Sequence, residues 1–164
     1  VFEQLKKQGK IRHYGISSIR PNVIREYVQR SNIVSVMMQY SLLDRRPEES
    51  CLPLLQKNNI GVLARGPVAK GLLVDKPVEE YLNYSARQVK AVSDAVRKIS
   101  GKDRSAAQTA IRWVLNNAAI TSAVVGIRTE EQLLDAVGAA NALDDKEISL
   151  LQEVVEPNRY EQHR

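Results

Sequence analysis

Apolar residues along this chain follow two different spacings. Short runs rich in apolar residues at 11–17 (IRHYGIS), 33–39 (IVSVMMQ), 60–64 (IGVLA) and 119–125 (AITSAVV) are too short for helices and predict strands. The run at 33–39 is nearly continuous in apolar residues, as expected of a strand covered on both faces in a parallel sheet. Between these runs the apolar positions recur every three to four residues and predict helices. Residues 2–8 read as the end of a helix with Lys6 and Lys7 at its negative pole and Gly9 stopping it. Pro21 opens a helix carrying Val23, Ile24, Tyr27 and Val28, and Pro47 with Glu48 and Glu49 opens another carrying Leu52, Leu54 and Leu55. Ser85 with Gln88, Ser105 with Gln108 and Thr129 with Gln132 each have the spacing of a capping box, so three more helices are expected from those points. Residues 74–84 break the rhythm and read as an insertion with at most a short helix. A last helix is expected from about Asp145 to Val155, followed by a polar, frayed tail.

Strand and helix in alternation imply βαβ units. In such proteins ligands sit at the carboxyl ends of the strands, and the sequence IGVLARGPVAKGLL at residues 60–73 shows what that end offers here. A short apolar strand gives way to Arg65, Gly66, Pro67, Lys70 and Gly71: positive charge, two flexible positions and a stiff turn. The run after 125 is similar, with Gly126, Arg128 and Thr129 ahead of a helix whose N-terminus would favour an anion. The bland alternative, solvated charges on ordinary turns, fits either stretch taken alone.

Composition narrows the function. The 164 residues are 43% hydrophobic, enough for one domain with a real core. The net charge of +5 could serve phosphate groups, but aromatics are 5% and do not interleave with the basic residues, so nucleic-acid binding is not expected. The single Cys51 cannot form an internal disulfide, reads as a small core hydrophobe and suits a reducing, cytoplasmic setting. No apolar run approaches the roughly 18 residues of a membrane span, and no metal-ligand spacing stands out. Trp113 is expected in the core. The chain opens at Val1 inside a helix, from which a preceding segment is expected.

Two closures suit a parallel sheet of this kind: an open doubly wound sheet, or part of a (β/α)8 barrel. The GxGxxG turn of a Rossmann fold is absent. A complete barrel needs about 250 residues, so this chain would supply roughly half of one.

Five segments in this order, GKIRHYGISS, VSVMMQYSLLDRRPEE, NNIGVLARGPVAKGLL, AAQTAIRWVL and SAVVGIRTEEQL, resemble the carboxyl-terminal half of an aldo-keto reductase. The resemblance covers nearly the whole chain. It implies an α/β fold in which residues 1–164 form a single partial domain holding strands five to eight of a (β/α)8 TIM barrel. It also implies hydride transfer from NADPH to an aldehyde or ketone without a metal. By the same likeness, Ser17 and Ser18 would hold the nicotinamide carboxamide, Ser18 standing where Asn is common. Arg65 takes the place of an aromatic residue that stacks on the nicotinamide; its guanidinium plane can also lie against the ring, though its positive charge would repel the oxidised form. Gly66, Pro67, Lys70 and Gly71 would line the pyrophosphate. Gly126, Arg128, Thr129 and Gln132 match the segment that takes the 2'-phosphate and adenine, and Arg128 favours NADP over NAD. Met37 stands where the family often has a Gln, with Gln39 two residues on, and Asp135-Ala136 replaces a frequent Glu-Asn pair.

The family's catalytic Asp, Tyr, Lys and His are borne by the first four strands and have no counterpart here. Tyr14, Tyr40 and His13 match structural positions, so no catalytic residue is assigned. The expected partners are a small carbonyl substrate and the missing amino-terminal half of the barrel. The alternative from another class is a non-catalytic half-barrel that binds nucleotide or serves in assembly.

Overall fold

The computed structural model describes residues 1–101 and 103–164. Four strands, β1 (Gly15–Ser17), β2 (Ser35–Gln39), β3 (Gly61–Arg65) and β4 (Ile120–Val124), form one sheet in the order β1-β2-β3-β4. Every pairing is parallel, as the apolar runs predict. The helices are α1 (Phe2–Lys7), α2 (Pro21–Arg30), α3 (Cys51–Lys57), α4 (Ala86–Ile99), α5 (Ala106–Leu115), α6 (Glu130–Val137) and α7 (Asp145–Glu153).

Strand alternation sorts the side chains onto two unlike faces. Val36, Met38, Val62 and Ala64 are completely buried and join Ile24, Leu55, Val89, Val92, Val96 and Val114 in the hydrophobic core. Met37, Gln39 and Leu63, from the opposite face, are only half-buried, and Arg65 is exposed. Trp113 lies in the core at 2% exposure against Tyr40, with ring centroids 5.2 Å apart, and Cys51 is buried as a small hydrophobe. β1 and β4 each leave one edge without a partner among the described residues.

The first strand is shorter than its apolar run. Arg12 and His13 are exposed, and ladder pairing starts only at Gly15 opposite Ser35. A Cβ at Gly15 would collide with Ser35, so only glycine lets these strands close up there. His13 is therefore a surface residue outside the strand, where a hydrogen-bonded strand position was expected. The helix expected from Pro47 begins as a 3₁₀ turn over Arg46–Glu49, and α3 starts anew after Ser50, whose backbone is not helical. Both boxes at Ser85 and Ser105 form as predicted. At Thr129 only half of the box forms: its hydroxyl accepts from the Gln132 N–H, but the Gln132 side chain turns to the Arg128 N–H. A box the sequence reading passed over, Asp144 with Glu147, starts α7.

Two segments expected to be loose are anchored. In 74–84 there is no helix, but Tyr81 and Tyr84 pair in an antiparallel bridge and are both buried. The tail is tied at several points. Asn158 accepts the Arg45 N–H at 2.8 Å and donates its own N–H to the Tyr84 hydroxyl at 2.9 Å. Tyr160 is buried with the Arg46 guanidinium 5.3 Å above its ring, and the His163 carbonyl accepts from the Asn22 N–H at 2.9 Å. Arg164 closes the series with an ion pair to Glu49 at 3.0 Å. Its polar composition suggested fraying, yet these contacts hold it, although the buried Asn158 Nδ2 finds no partner among the described residues.

Candidate functional site

All four strands point the same way, so the loops after β1, β2, β3 and β4 gather at one edge of the sheet. The register places Gln39 of β2 beside Arg65 of β3, and Arg65 beside Val124 of β4. Arg65 and Lys70 on one loop and Arg128 on the next thus leave neighbouring strands at the same end, the arrangement the dinucleotide reading needs.

At the β1 end, Ser17, Ser18, Arg20 and Arg65 line an open cleft of about 580 Å³ together with Ile16 and Tyr27. The Ser18 hydroxyl accepts from the Arg20 N–H at 3.1 Å, which curls the loop while leaving its own O–H to donate. Gln39 holds Arg65 from the side. Its carbonyl oxygen accepts from the Arg65 guanidinium at 3.1 Å, and its amide donates to the Tyr81 hydroxyl at 2.9 Å. The Tyr81 ring in turn lies 5.8 Å from the Lys70 ammonium. Burial, and then the nearby Asp44 carboxylate, push the Tyr81 phenol above its ordinary pKa, so it stays a neutral acceptor for Gln39. One chain of contacts thus links the loops after β2 and β3 to the segment 74–84. Met37 lies one pleat further from the mouth on the same face, as the two-residue spacing implied.

The loop after β3 is held in an uncommon conformation. Gly66 and Gly71 have φ of 70° and 97°, and Ala69 and Lys70, which are not glycine, have φ of 47° and 59°. Each of the latter costs about 1–2 kcal/mol of backbone strain, which the buried Ala69 and neighbouring Leu72 and Leu73 offset by packing. Lys70 is exposed and available to a ligand. Pro67 is buried, so it shapes the loop from within and does not present its ring to the mouth.

At the β4 end Gly126, Arg128, Thr129 and Gln132 are exposed and lie outside the cleft of Ser17 and Arg65. The Arg128 guanidinium has no ion-pair partner among the described residues. The N–H groups of Arg128 and Gln132 are already engaged, so an anion at this helix start would meet the remaining first-turn N–H groups and the guanidinium. Glu130 and Glu131 share that first turn. Asp135 faces away from this end. It accepts the Ser105 hydroxyl at 2.7 Å while its backbone carbonyl accepts the Gln108 amide at 3.0 Å, so it fastens α6 to α5.

Neither tyrosine considered for catalysis faces the cleft. Tyr14 donates to Glu3 at 2.7 Å and accepts from the Asn32 N–H at 3.1 Å, tying α1 to the sheet. Tyr40 donates to Glu48 at 2.8 Å from inside the core, and burial raises its pKa strongly. Two residues at the mouth were missed by sequence reasoning. Arg20 reads only as the residue before a helix-opening proline. Tyr81 lies in the presumed insertion, where the paired Tyr81 and Tyr84 were the available signal.

A model of the aldo/keto reductase family matches residues 1–156 of the chain. The chain belongs to the aldo/keto reductase family. Its sequence is 47% identical over 174 residues to the uncharacterized oxidoreductase YqkF of Bacillus subtilis, covering 99% of this chain and 56% of the relative. It is 30% identical over 170 residues to the NADH-specific methylglyoxal reductase of Escherichia coli, covering 95% of this chain and 52% of that protein. The solved aldo-keto reductase AKR11C1 from Bacillus halodurans, in its holo form, superposes with a TM-score of 0.89 at 44% identity, over 99% of this chain and 57% of its own. This aldo/keto reductase chain therefore spans a little over half the length of those relatives. Its parallel α/β sheet is that of the family. No helix among the described residues is long and apolar enough to cross a membrane.

Proposed function

We propose that this chain forms the cofactor-binding half of an NADPH-dependent reductase of aldehydes or ketones, with strands five to eight of a (β/α)8 barrel as β1 to β4. The observation that carries the proposal is that Ser17, Ser18, Arg65, Lys70 and Arg128 lie at or just beyond the carboxyl ends of parallel strands of one sheet. Their chemistry suits a dinucleotide. The Ser17 and Ser18 hydroxyls suit a carboxamide, the left-handed loop with Gly66, Lys70 and Gly71 suits a pyrophosphate, and Arg128 with the start of α6 suits a 2'-phosphate. Bound NADPH would supply the hydride to the carbonyl carbon. The residues of this chain would hold and orient that cofactor. Tyr14 and Tyr40 are committed elsewhere, and no residue of this chain is assigned to protonate the carbonyl oxygen.

The acid would then come from an amino-terminal half of the barrel. The half-buried Met37 and Leu63 on the open face, the unpaired edges of β1 and β4, and the exposed Leu133, Leu134 and Val137 of α6 all favour a covering partner. In a closed barrel Met37 and Leu63 would lie in the packed layers of the interior.

NADPH and NADH titrations of the purified chain, followed by nicotinamide fluorescence, test the cofactor assignment. NADPH is expected to bind more tightly than NADH, and Arg128→Ala to weaken NADPH about tenfold while sparing NADH. Equal affinities with no effect of Arg128→Ala would remove the 2'-phosphate assignment. Oxidation of NADPH by a small aldehyde is expected only when an amino-terminal half is supplied in trans, and turnover by the chain alone would refute the division of labour.

A further inference from the structure

Tyr81 lies outside every strand end that carries a proposed cofactor contact, yet two of those contacts meet on it. Its hydroxyl accepts the Gln39 amide at 2.9 Å, and the Gln39 carbonyl oxygen accepts the Arg65 guanidinium at 3.1 Å. Its ring has the Lys70 ammonium 5.8 Å from the centroid. Arg65 and Lys70 are both exposed. A long cationic side chain left free in water keeps its rotamer freedom, and a ligand has to quench that freedom on binding. The residue that receives both cations is itself a fixed point. Tyr81 is 7% exposed, and its backbone N–H and carbonyl exchange hydrogen bonds with Tyr84 at 3.1 and 3.0 Å across a turn in which Leu82 has a φ of 53°. The Tyr84 hydroxyl donates to the Glu156 carbonyl and accepts the Asn158 N–H, both at 2.9 Å. Tyr81 is thus braced against the tail, while its hydroxyl and its ring each tether a different cation.

We infer that Tyr81 is a positioning residue for the cofactor: through Gln39 its hydroxyl sets the Arg65 guanidinium at the nicotinamide end, and its ring sets the Lys70 ammonium at the pyrophosphate, so that both are in place before the ligand arrives. The inference rests on the reductase reading and adds to it a residue that acts through Gln39 and Lys70. It also gives the segment 74–84 a task at the site. Because the two tethers use different parts of one side chain, they can be cut separately. Tyr81→Phe removes the hydroxyl and keeps the ring, Gln39→Met cuts the same path while leaving Tyr81 whole, and Tyr81→Leu removes both tethers.

Calorimetric titration of the full chain compares NADPH with 2'-phospho-ADP-ribose, which has the same phosphates and lacks the nicotinamide. Tyr81→Phe and Gln39→Met are each expected to weaken NADPH about fivefold and to leave 2'-phospho-ADP-ribose unchanged, whereas Tyr81→Leu weakens both ligands. In an Arg65→Met background, Tyr81→Phe should have no further effect on NADPH. The tether is read directly by 15N exchange NMR: the Arg65 guanidinium should rotate about threefold faster in Tyr81→Phe than in the unmutated chain. Equal weakening of the two ligands by Tyr81→Phe, an undiminished effect of Tyr81→Phe in the Arg65→Met background, or unchanged NADPH affinity in both Tyr81→Phe and Gln39→Met would overturn the inference. Failure of the reductase reading shows differently. Neither ligand then binds the unmutated chain although Arg65 rotation still responds to Tyr81→Phe, and the cofactor role of Tyr81 falls with that reading.

Discussion

Asp135 offers a measurable link between packing and the proposed cofactor end. α6 buries no side chain completely, so its position depends heavily on two polar ties to α5: the Ser105 hydroxyl to the Asp135 carboxylate at 2.7 Å, and the Gln108 amide to the Asp135 carbonyl at 3.0 Å. Asp135→Ala removes the first and leaves the second. A hydrogen bond to a charged acceptor contributes about 1.5–3 kcal/mol when buried, and the half-exposed setting reduces that to about 1 kcal/mol. Because α6 can detach locally, the loss is expected to appear as about fivefold faster amide exchange along Glu130–Val137, with global stability reduced by no more than the same amount. Asp135→Asn keeps an acceptor and should recover part of the loss. Ser105→Ala also removes the α5 cap, so the pair belongs in a double-mutant cycle with an expected coupling of about 1 kcal/mol. Exchange in α6 unchanged by Asp135→Ala, with zero coupling, would refute the claim that this residue acts as a fastener. NADPH affinity should fall with the loosened helix although Asp135 makes no ligand contact, and Asp135→Asn should fall less.

The other predictions concern the core. Trp113→Ala should cost about 3–5 kcal/mol in urea denaturation followed by circular dichroism, because the ring is 2% exposed and packs on Tyr40; Trp113→Phe should cost distinctly less. Stability should fall as the solution becomes alkaline. Burial raises the folded-state pKa of Tyr40 and of Cys51, so their neutral forms are favoured only in the folded chain. The resulting stabilisation is complete below the unfolded values of about 8.5 for the thiol and about 10 for the phenol, and is lost as pH rises through and beyond them. Urea midpoints measured from pH 7 to 11 should decline in that window, and Cys51→Ala should flatten the earlier part of the decline.

Much of this architecture can be read from spacing alone. The four apolar runs carry enough contrast to place every strand, and Ser85, Ser105 and Thr129 mark helix starts because capping is a local interaction between near neighbours. The shortening of β1 is not local: it depends on Ser35 across the ladder. The anchoring of the tail is less local still, since Asn158 and Tyr160 find partners more than a hundred residues earlier at Arg45 and Glu49. At the mouth, glycine and charge betrayed the loop after β3, whereas Tyr81 and Arg20 gain their importance only from which strand ends the sheet brings together. Asp135 looked like a weakened ligand position because it departs from the family pattern, and its contact to Ser105 gives it a structural employment that no pattern in its own helix announces.

The closing residues of the chain act as a clasp across the outer rim. Since His163 meets the first turn of α2 and Arg164 meets Glu49 just ahead of α3, residues 158–164 hold two helix starts together from outside the sheet. Trimming from Asn158 onward should unfasten Tyr84 and Arg45 together.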